Sequence, residues 1–291
     1  MDREERTSLF ASLGAVVIAS LVAWAGSQGG ASIYGLPVYA WCVGIAFLIQ
    51  WIAFVPAFAL RSERFYDLVG SVTYITVACL AVLLGRRMDA RSLLLLGLVL
   101  IWAGRLGTFL YLRVRKTGRD ERFDEIKTSF LRLLQAWTLQ GLWVSLTMAA
   151  VLAVMTTRTS HRLGPVEWIG LAVWLTGFSI EAIADEQKRR FRASPENRGR
   201  FISSGLWRWS RHPNYFGEIV LWIGVSVIAI PVLSGWRWVA LISPVFVTLL
   251  ITKVSGIPIL ERRADDRWGG QEIYEDYKRR TSVLIPRPPA P

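Results

Sequence analysis

Residues 177–222 read GFSIEAIADEQKRRFRASPENRGRFISSGLWRWSRHPNYFGEIVLW. The stretch leaves one apolar segment, crosses a polar region and enters the next apolar segment. Acids stand where a membrane helix ordinarily carries none, at Glu181 and Glu218. Between them lie eight Lys/Arg side chains and His212, one of only two histidines in the chain. A charge at membrane depth costs roughly 3 kcal/mol or more, so it faces a partner or a wet cavity. Two readings follow. One is a basic loop on one membrane face with acids at the helix ends; the other is a cofactor site built into that face.

The flanking sequence decides the setting. The chain has 291 residues, 53% of them hydrophobic, and a mean hydropathy of +0.36. A bilayer core needs about 20 consecutive apolar residues per helix, and such runs recur at approximately 8–26, 36–60, 66–85, 92–112, 134–155, 165–184, 216–234 and 237–256. Eight spans place both termini and every second loop on one side. That side carries 27 Lys/Arg against six on the other, with Arg105 inside a span completing the 34. The positive-inside rule puts the rich side, and both termini, in the cytoplasm. The net charge of +12 thus follows membrane topology and does not point to nucleic acid. The fold class is all-α, a polytopic helical bundle of seven to eight spans forming one domain over 1–291. Residues 257–291 are expected to form a cytoplasmic tail over the pocket.

Other features narrow the chemistry. MDREERT leads into a full-length span with no clear cleavage site, so no removable signal is expected. Cys42 and Cys79 both lie in apolar runs and suit neither a disulfide framework nor zinc. His161 and His212 are far apart and no HExxH is present, so no metal site is expected. Neither a P-loop nor a GxGxxG after a strand appears, which leaves NTP hydrolysis and Rossmann binding unsupported.

Several positions are candidates for function. Glu181, Asp185 and Lys188 are spaced four and three apart, on one helical face running out of the membrane. The following loop interleaves arginines with Phe191, Phe201, Trp207, Trp209, Tyr215 and Phe216, a content that argues against disorder. Arginine holds phosphate bidentately and rings stack on a base, so the composition suits a nucleotide. Earlier, Asp67, Ser71 and Tyr74 share a helical face with Tyr66 nearby. They form either a polar pocket lining with a tyrosine proton donor or a helix-start acid. Arg105, with Gly104 and Gly107 beside it, either sits in a close-packed helix pair or snorkels outward. Arg113 opens the mixed-charge stretch beyond it. Tyr274 and Tyr277 lie three apart on a short amphipathic segment of the tail.

GLWRWSRHPNYFGEIVLWIG, the preceding E-x-x-x-D-x-Q-K-x-x-F-R, and the tail S-G-I-P-x-L-E followed by Y-x-x-Y-K-x-x-T-S-x-x-I-P together resemble the steroid 5-alpha-reductase superfamily, in its bacterial membrane-protein branch. The resemblance covers roughly 62–289. It implies a helical bundle with NADPH at its cytoplasmic side and hydride transfer to the conjugated C=C of a steroid-like or other lipid enone. By matching positions, it implies that Glu181 and Asp185 meet amide or ribose groups and that Arg192, Arg200 and Arg211 hold phosphates. Asn214 and Glu218 would orient the cofactor, Trp222 would line the same cavity and Tyr277 would close it in; Arg105, Arg113, His212 and Tyr215 complete the expected cofactor set. The Gln-Glu pair that eukaryotic steroid reductases carry before a Leu-Pro is replaced by Ala53-Phe54-Val55-Pro56. The proton donor is therefore expected among Tyr66, Asp67 and Tyr74, and the substrate stays open. A bacterial inner membrane, a lipid-soluble substrate and no obligate protein partner complete the expectation. Two alternatives stand beside it. Isoprenylcysteine and phospholipid methyltransferases, which use S-adenosylmethionine, share an Arg-His-Pro-x-Tyr element, but LERRADDRWG lacks their paired Glu-Glu. A transporter would suit Pro56 and Pro231 in broken helices, but no internal repeat relates the two halves.

Overall fold

The computed structural model describes residues 3–86, 88–117, 123–159 and 162–288, with the side chains of 113, 114, 116 and 117 also outside the described set. His161 and the side chain of Arg113 therefore lie outside the described residues. Among the described residues, seven helices are long and apolar enough to cross a membrane, and eight if one bent pair is counted as a single span. The chain is an all-α integral membrane protein. Its only strands among the described residues, Ser32–Ile33 and Leu36–Pro37, form a two-residue hairpin. Tyr34 and Gly35 turn it with φ of 53° and 77°, the left-handed pair that such a turn requires.

Backbone contacts divide the chain into two compact units, Met1–Gly164 with Ala229–Ser243, and Pro165–Ile228 with Pro244–Pro291. The first holds α1 (Arg3–Gly26), α2 (Val38–Ala59), α3 (Tyr66–Gly85), α4 (Ala90–Thr117), α5 (Phe130–Thr147) and α6 (Ala149–Met155). Helices α1 and α2 pack on α5, and α3 packs on both α2 and α4. Each close approach has a residue-level cause. Gly26 lies against the Tyr39 ring, where a Cβ would come within 2.7 Å; at Gly107 it would meet Ser71 Cβ at 2.5 Å, whereas Gly104 has nothing within 4 Å. Gln50, fully buried, donates to Thr73 Oγ1 at 2.7 Å, and Trp51 Nε1 donates to Thr138 Oγ1 at 3.1 Å.

The apolar run predicts one span over 134–155, and the structure breaks it between Thr147 and Ala149 with a bend of 54°. No Pro or Gly stands there. The Ser243 hydroxyl donates to the Thr147 carbonyl at 2.7 Å, and Ser145 bonds back to the Gly141 carbonyl at 2.8 Å. Hydroxyls competing for ladder carbonyls bend helices in this way. Every residue of α6 beyond the break is buried. Arg237, only 4% exposed, donates to Thr157 Oγ1 at 2.7 Å and to the Ala153 carbonyl at the end of α6, satisfying a terminal carbonyl that the helix leaves open.

The second unit is built on α7 (Pro165–Ala193) and α8 (Pro213–Ala229). They run antiparallel in backbone contact. A Cβ on Gly177 would stand 2.4 Å from the Leu221 nitrogen, and one on Gly217 would stand 2.6 Å from the Glu181 nitrogen. On Gly224 it would meet the Trp174 nitrogen at 2.6 Å, and on Gly170 the Gly224 carbonyl at 2.8 Å. Two glycines on each helix, seven residues apart, thus seat the pair; small residues of this kind let membrane helices approach closely. Helix α7 also runs beyond the expected 165–184. Glu186 pairs with Arg189 and Arg190 at 2.6 Å on its exposed face, and Ser194-Pro195 then ends it, because the residue before proline avoids the helical region. Residues 185–215, expected as one long loop, are therefore two turns of α7 followed by short 3-10 turns at Pro195–Asn197 and Gly205–Arg208.

The last span changes pitch along its length. A 3-10 turn at Gly235–Leu241 passes into α9 (Ile242–Leu249), then a π turn at Leu250–Val254, and after Gly256 into α10 (Ile257–Trp268) and α11 (Glu272–Arg280).

Candidate functional site

The polar end of the α7–α8 pair carries the candidate site. On α7, Glu181 and Asp185 are both buried. On α8, Asn214, Glu218 and Trp222 recur every four residues and so share one face. The Asn214 amide donates to Asp185 Oδ1 at 3.2 Å and joins the two helices, and Trp222 is 1% exposed.

Side chains of α7 and α11 hold the connecting loop down. Gly205, with φ of +62°, lies against the Gln187 amide, whose oxygen accepts from the Leu206 N–H at 2.9 Å. Trp207 is buried, its indole N–H donating to the Ala184 carbonyl at 3.0 Å. Lys188 Nζ lies 4.2 Å from the Trp207 ring centroid, a cation–π contact. Tyr277 donates to the Trp207 carbonyl at 2.7 Å. Burial raises the Tyr277 phenol above its ordinary range, so at neutral pH it remains a donor. Phe201 meets the rings of Trp268, Tyr274 and Tyr277. Downstream of α11, Ser282 forms a parallel bridge with Ser210, and the Ser210 hydroxyl donates to the Leu284 carbonyl at 2.8 Å.

At the foot of α8 the geometry tightens around Glu261 of α10. One carboxylate oxygen lies 2.7 Å from His212 Nε2 and the other 2.8 Å from Arg211 Nη1. The Tyr215 ring stacks on His212 with centroids 5.7 Å apart and packs against Gly256, where a Cβ would lie 3.1 Å from Tyr215 Cε2. Burial holds His212 below the usual histidine range, against the opposing pull of Glu261. Its ring is therefore neutral at pH 7. Among the described residues, His212 Nδ1 and Arg211 Nε are buried and carry no hydrogen-bond partner.

The structure thus brings Glu181, Asp185, Arg211, His212, Asn214, Tyr215, Glu218, Trp222 and Tyr277 into one unit. Arg192 and Arg200 are exposed there. It also gives Glu261 a place that the expected set lacked, and it adds Lys188 and Trp207, named from the helix face and the aromatic loop but outside the expected cofactor set. The signal for Glu261 was its place in S-G-I-P-x-L-E; its partners, 49 residues upstream in the case of His212, were not readable from spacing. Tyr277 ties its hydroxyl to the loop backbone, so its first role is to fasten the tail. Tyr66, Asp67, Tyr74 and Arg105 belong to the first unit. There the Tyr66 hydroxyl donates to the Ala136 carbonyl at 2.9 Å. Tyr74 is buried, edge-on to Trp102 with centroids 5.0 Å apart.

Fold and site together define a polytopic membrane protein with a buried acidic–basic, aromatic-walled cluster at the end of a glycine-seated helix pair. The chain belongs to the family described as "Protein of unknown function (DUF1295)", which matches residues 53–281 and lies within the steroid 5-alpha-reductase superfamily. It is 24% identical over 227 residues to an uncharacterized protein of Schizosaccharomyces pombe, covering 66% of this chain and 64% of that one. It is 28% identical over 118 residues to 3-oxo-5-alpha-steroid 4-dehydrogenase 1 of Rattus norvegicus, covering 40% of each. Steroid 5-alpha-reductase DET2 of Arabidopsis thaliana is 28% identical over 120 residues, again 40% of each. The chain thus spans less than two thirds of the length of these relatives. No solved structure matches it.

Proposed function

We propose that the protein is an NADPH-dependent membrane reductase that delivers hydride to the conjugated C=C of a lipid enone. The observation that carries this reading is the joined polar face of α7 and α8, Asp185 bonded to Asn214 at 3.2 Å, beside the Arg211–His212–Glu261 cluster. The donor set fits the cofactor. Buried carboxylates and an amide suit ribose hydroxyls and a carboxamide, whereas the Arg211 N–H and the exposed Arg192 and Arg200 suit phosphates. Bound NADPH would supply the hydride. Glu181 and Asp185 would meet the cofactor's amide or ribose groups, Asn214 and Glu218 would orient it, and Trp222 would line the same cavity and keep water out. A proton donor polarises the enone carbonyl. The relatives' steroid chemistry supports the reaction class, while Ala53-Phe54-Val55-Pro56 in place of an acid-bearing motif points to a different lipid. The positive-inside asymmetry supports a site on the cytoplasmic side of the membrane, where NADPH is available.

The test is ligand-dependent melting of the detergent-purified protein with NADPH, NADH and S-adenosylmethionine in parallel. A ligand at 100 times its Kd adds about 2.7 kcal/mol, so NADPH should raise the melting point by several degrees. Stabilisation by S-adenosylmethionine instead would move the assignment to methyl transfer. No shift with any of the three would refute a nucleotide site.

A further inference from the structure

His212 is gripped on three sides. Its backbone N–H donates to the Ser210 hydroxyl at 3.1 Å, Tyr215 stacks on its ring face, and its Nε2 meets Glu261 at 2.7 Å. A carboxylate with an arginine nitrogen 2.8 Å from its other oxygen is an acceptor, so the shared proton sits on Nε2. A neutral imidazole has one N–H. Nδ1 is then a bare acceptor, buried and without a hydrogen-bond partner among the described residues. Leaving such an atom unsatisfied costs free energy, which makes its partner a question of mechanism.

We propose that Glu261 is a positioning residue. It holds His212 as the Nε2–H tautomer, so that the buried Nδ1 accepts a hydrogen bond from an N–H or O–H of the bound dinucleotide, its carboxamide or a ribose hydroxyl. This rests on the reading of the site as a reductase's cofactor site. Arg211 keeps the carboxylate turned toward the ring. The charged and titratable groups facing His212 are Glu261 from α10, Arg211 beside it, Lys188 from α7 and Tyr215 from α8. The two cations oppose protonation of the ring and Glu261 favours it. Protonation at Nδ1 would turn the acceptor into a donor and abolish the contact.

The chain holds two histidines, so His161→Gln leaves His212 as the single reporter. The 15N spectrum of the histidine-labelled protein distinguishes the tautomers without any ligand. The expected spectrum shows one Nε2–H tautomer at neutral pH, and NADPH moves the Nδ1 resonance as a hydrogen bond forms there. In the Glu261→Gln background the side-chain amide can donate as well as accept, so both tautomers share the population and NADPH affinity falls about tenfold. A nicotinic acid analogue of NADPH, which lacks the carboxamide N–H, separates the two sources. Loss of the Nδ1 response assigns the carboxamide, and its retention assigns a ribose hydroxyl.

A predominant Nδ1–H tautomer overturns the assignment to Glu261, as does a tautomer ratio and NADPH affinity indifferent to Glu261→Gln. NADPH binding with no change at Nδ1 overturns the ligand contact and leaves ordered water as the partner. If NADPH does not bind at all, the reductase reading falls with that contact, while the ligand-free spectrum still decides what Glu261 does. Should Glu261→Gln fail to accumulate in the membrane, the pH titration of the His161→Gln protein replaces it: NADPH affinity must drop as the His212 resonances report protonation.

Discussion

Replacing Gly217 by alanine tests how the site is held. The added methyl would stand 2.6 Å from both the Glu181 nitrogen and the Gly177 carbonyl, and 3.0 Å from Glu181 Cα. An ordinary carbon contact with these atoms is about 3.5 Å, so α7 and α8 must part by nearly 1 Å at this level. The obstacle is backbone on both sides and has no rotamer to change. Overpacking of this kind costs about 1–3 kcal/mol. Parting the helices also stretches the Asn214–Asp185 bond from 3.2 Å past hydrogen-bonding range, a further loss of about 1 kcal/mol. The sum lowers the melting point of the purified protein by roughly 5 to 10 °C, and NADPH affinity falls by more than tenfold. Gly97→Ala on α4 is the control. Nothing lies within 4 Å of its Cβ position, and exchanging a helical glycine for alanine stabilises by about 0.5–1 kcal/mol. Equal melting points and equal NADPH affinity for Gly217→Ala and the native chain would refute backbone contact between α7 and α8 as the support of the site.

Tyr277→Phe removes the hydroxyl held by the Trp207 carbonyl; it should cost about 1 kcal/mol and speed amide hydrogen exchange across residues 206–212, and unchanged exchange would deny the tail its fastening role. Tyr74→Phe should leave NADPH-dependent stabilisation intact and slow NADPH oxidation by about 100-fold with whichever enone proves to be turned over; an unaltered rate removes Tyr74 as the acid. Because the folded chain holds His212 below the usual histidine range, the unfolded chain binds more protons there, so this contribution is complete above about pH 6.5 and is lost as pH falls below it. Melting points compared at about pH 7.5 and 5.5 should fall less steeply in His212→Gln than in the native chain, and identical slopes would count against a buried neutral ring.

Span number and order were legible because length and apolar content alone decide them; the runs reappear among the described residues, most with limits shifted by a few residues, but α7 extends to Ala193 and the last stretch to Trp268. The break at Met148 was not legible, since its cause is the Ser243 hydroxyl on the Thr147 carbonyl, 96 residues away. In the site, the shared face of Glu181, Asp185 and Lys188 on α7 was legible from their spacing, because helical periodicity is a local property, whereas Asn214 entered through the motif alone. The grip of Glu261 on Arg211 and His212 depends on how α10 leaves the π turn, which spacing does not encode. The glycine spacing is itself a sign of the pairing. Gly170 and Gly177, like Gly217 and Gly224, are seven residues apart, the interval at which two antiparallel helices meet again.

The bond that pins the loop, from Ser210 to the carbonyls of Val283 and Leu284, spans 73 and 74 residues. At a synthesis rate of about 5–20 residues per second, the ribosome needs about 4 to 15 s to travel that distance. Throughout that interval the loop bearing Arg211 and His212 is outside the bilayer or entering it without its strap, while α9 still has to be inserted. A nascent chain stalled in this window would carry most of the candidate groups on a loop that still lacks its strap. Assembly of the site is therefore scheduled by translation, and slow codons or a missing insertion factor between residues 213 and 284 would be felt as loss of binding long before they were felt as loss of the helices.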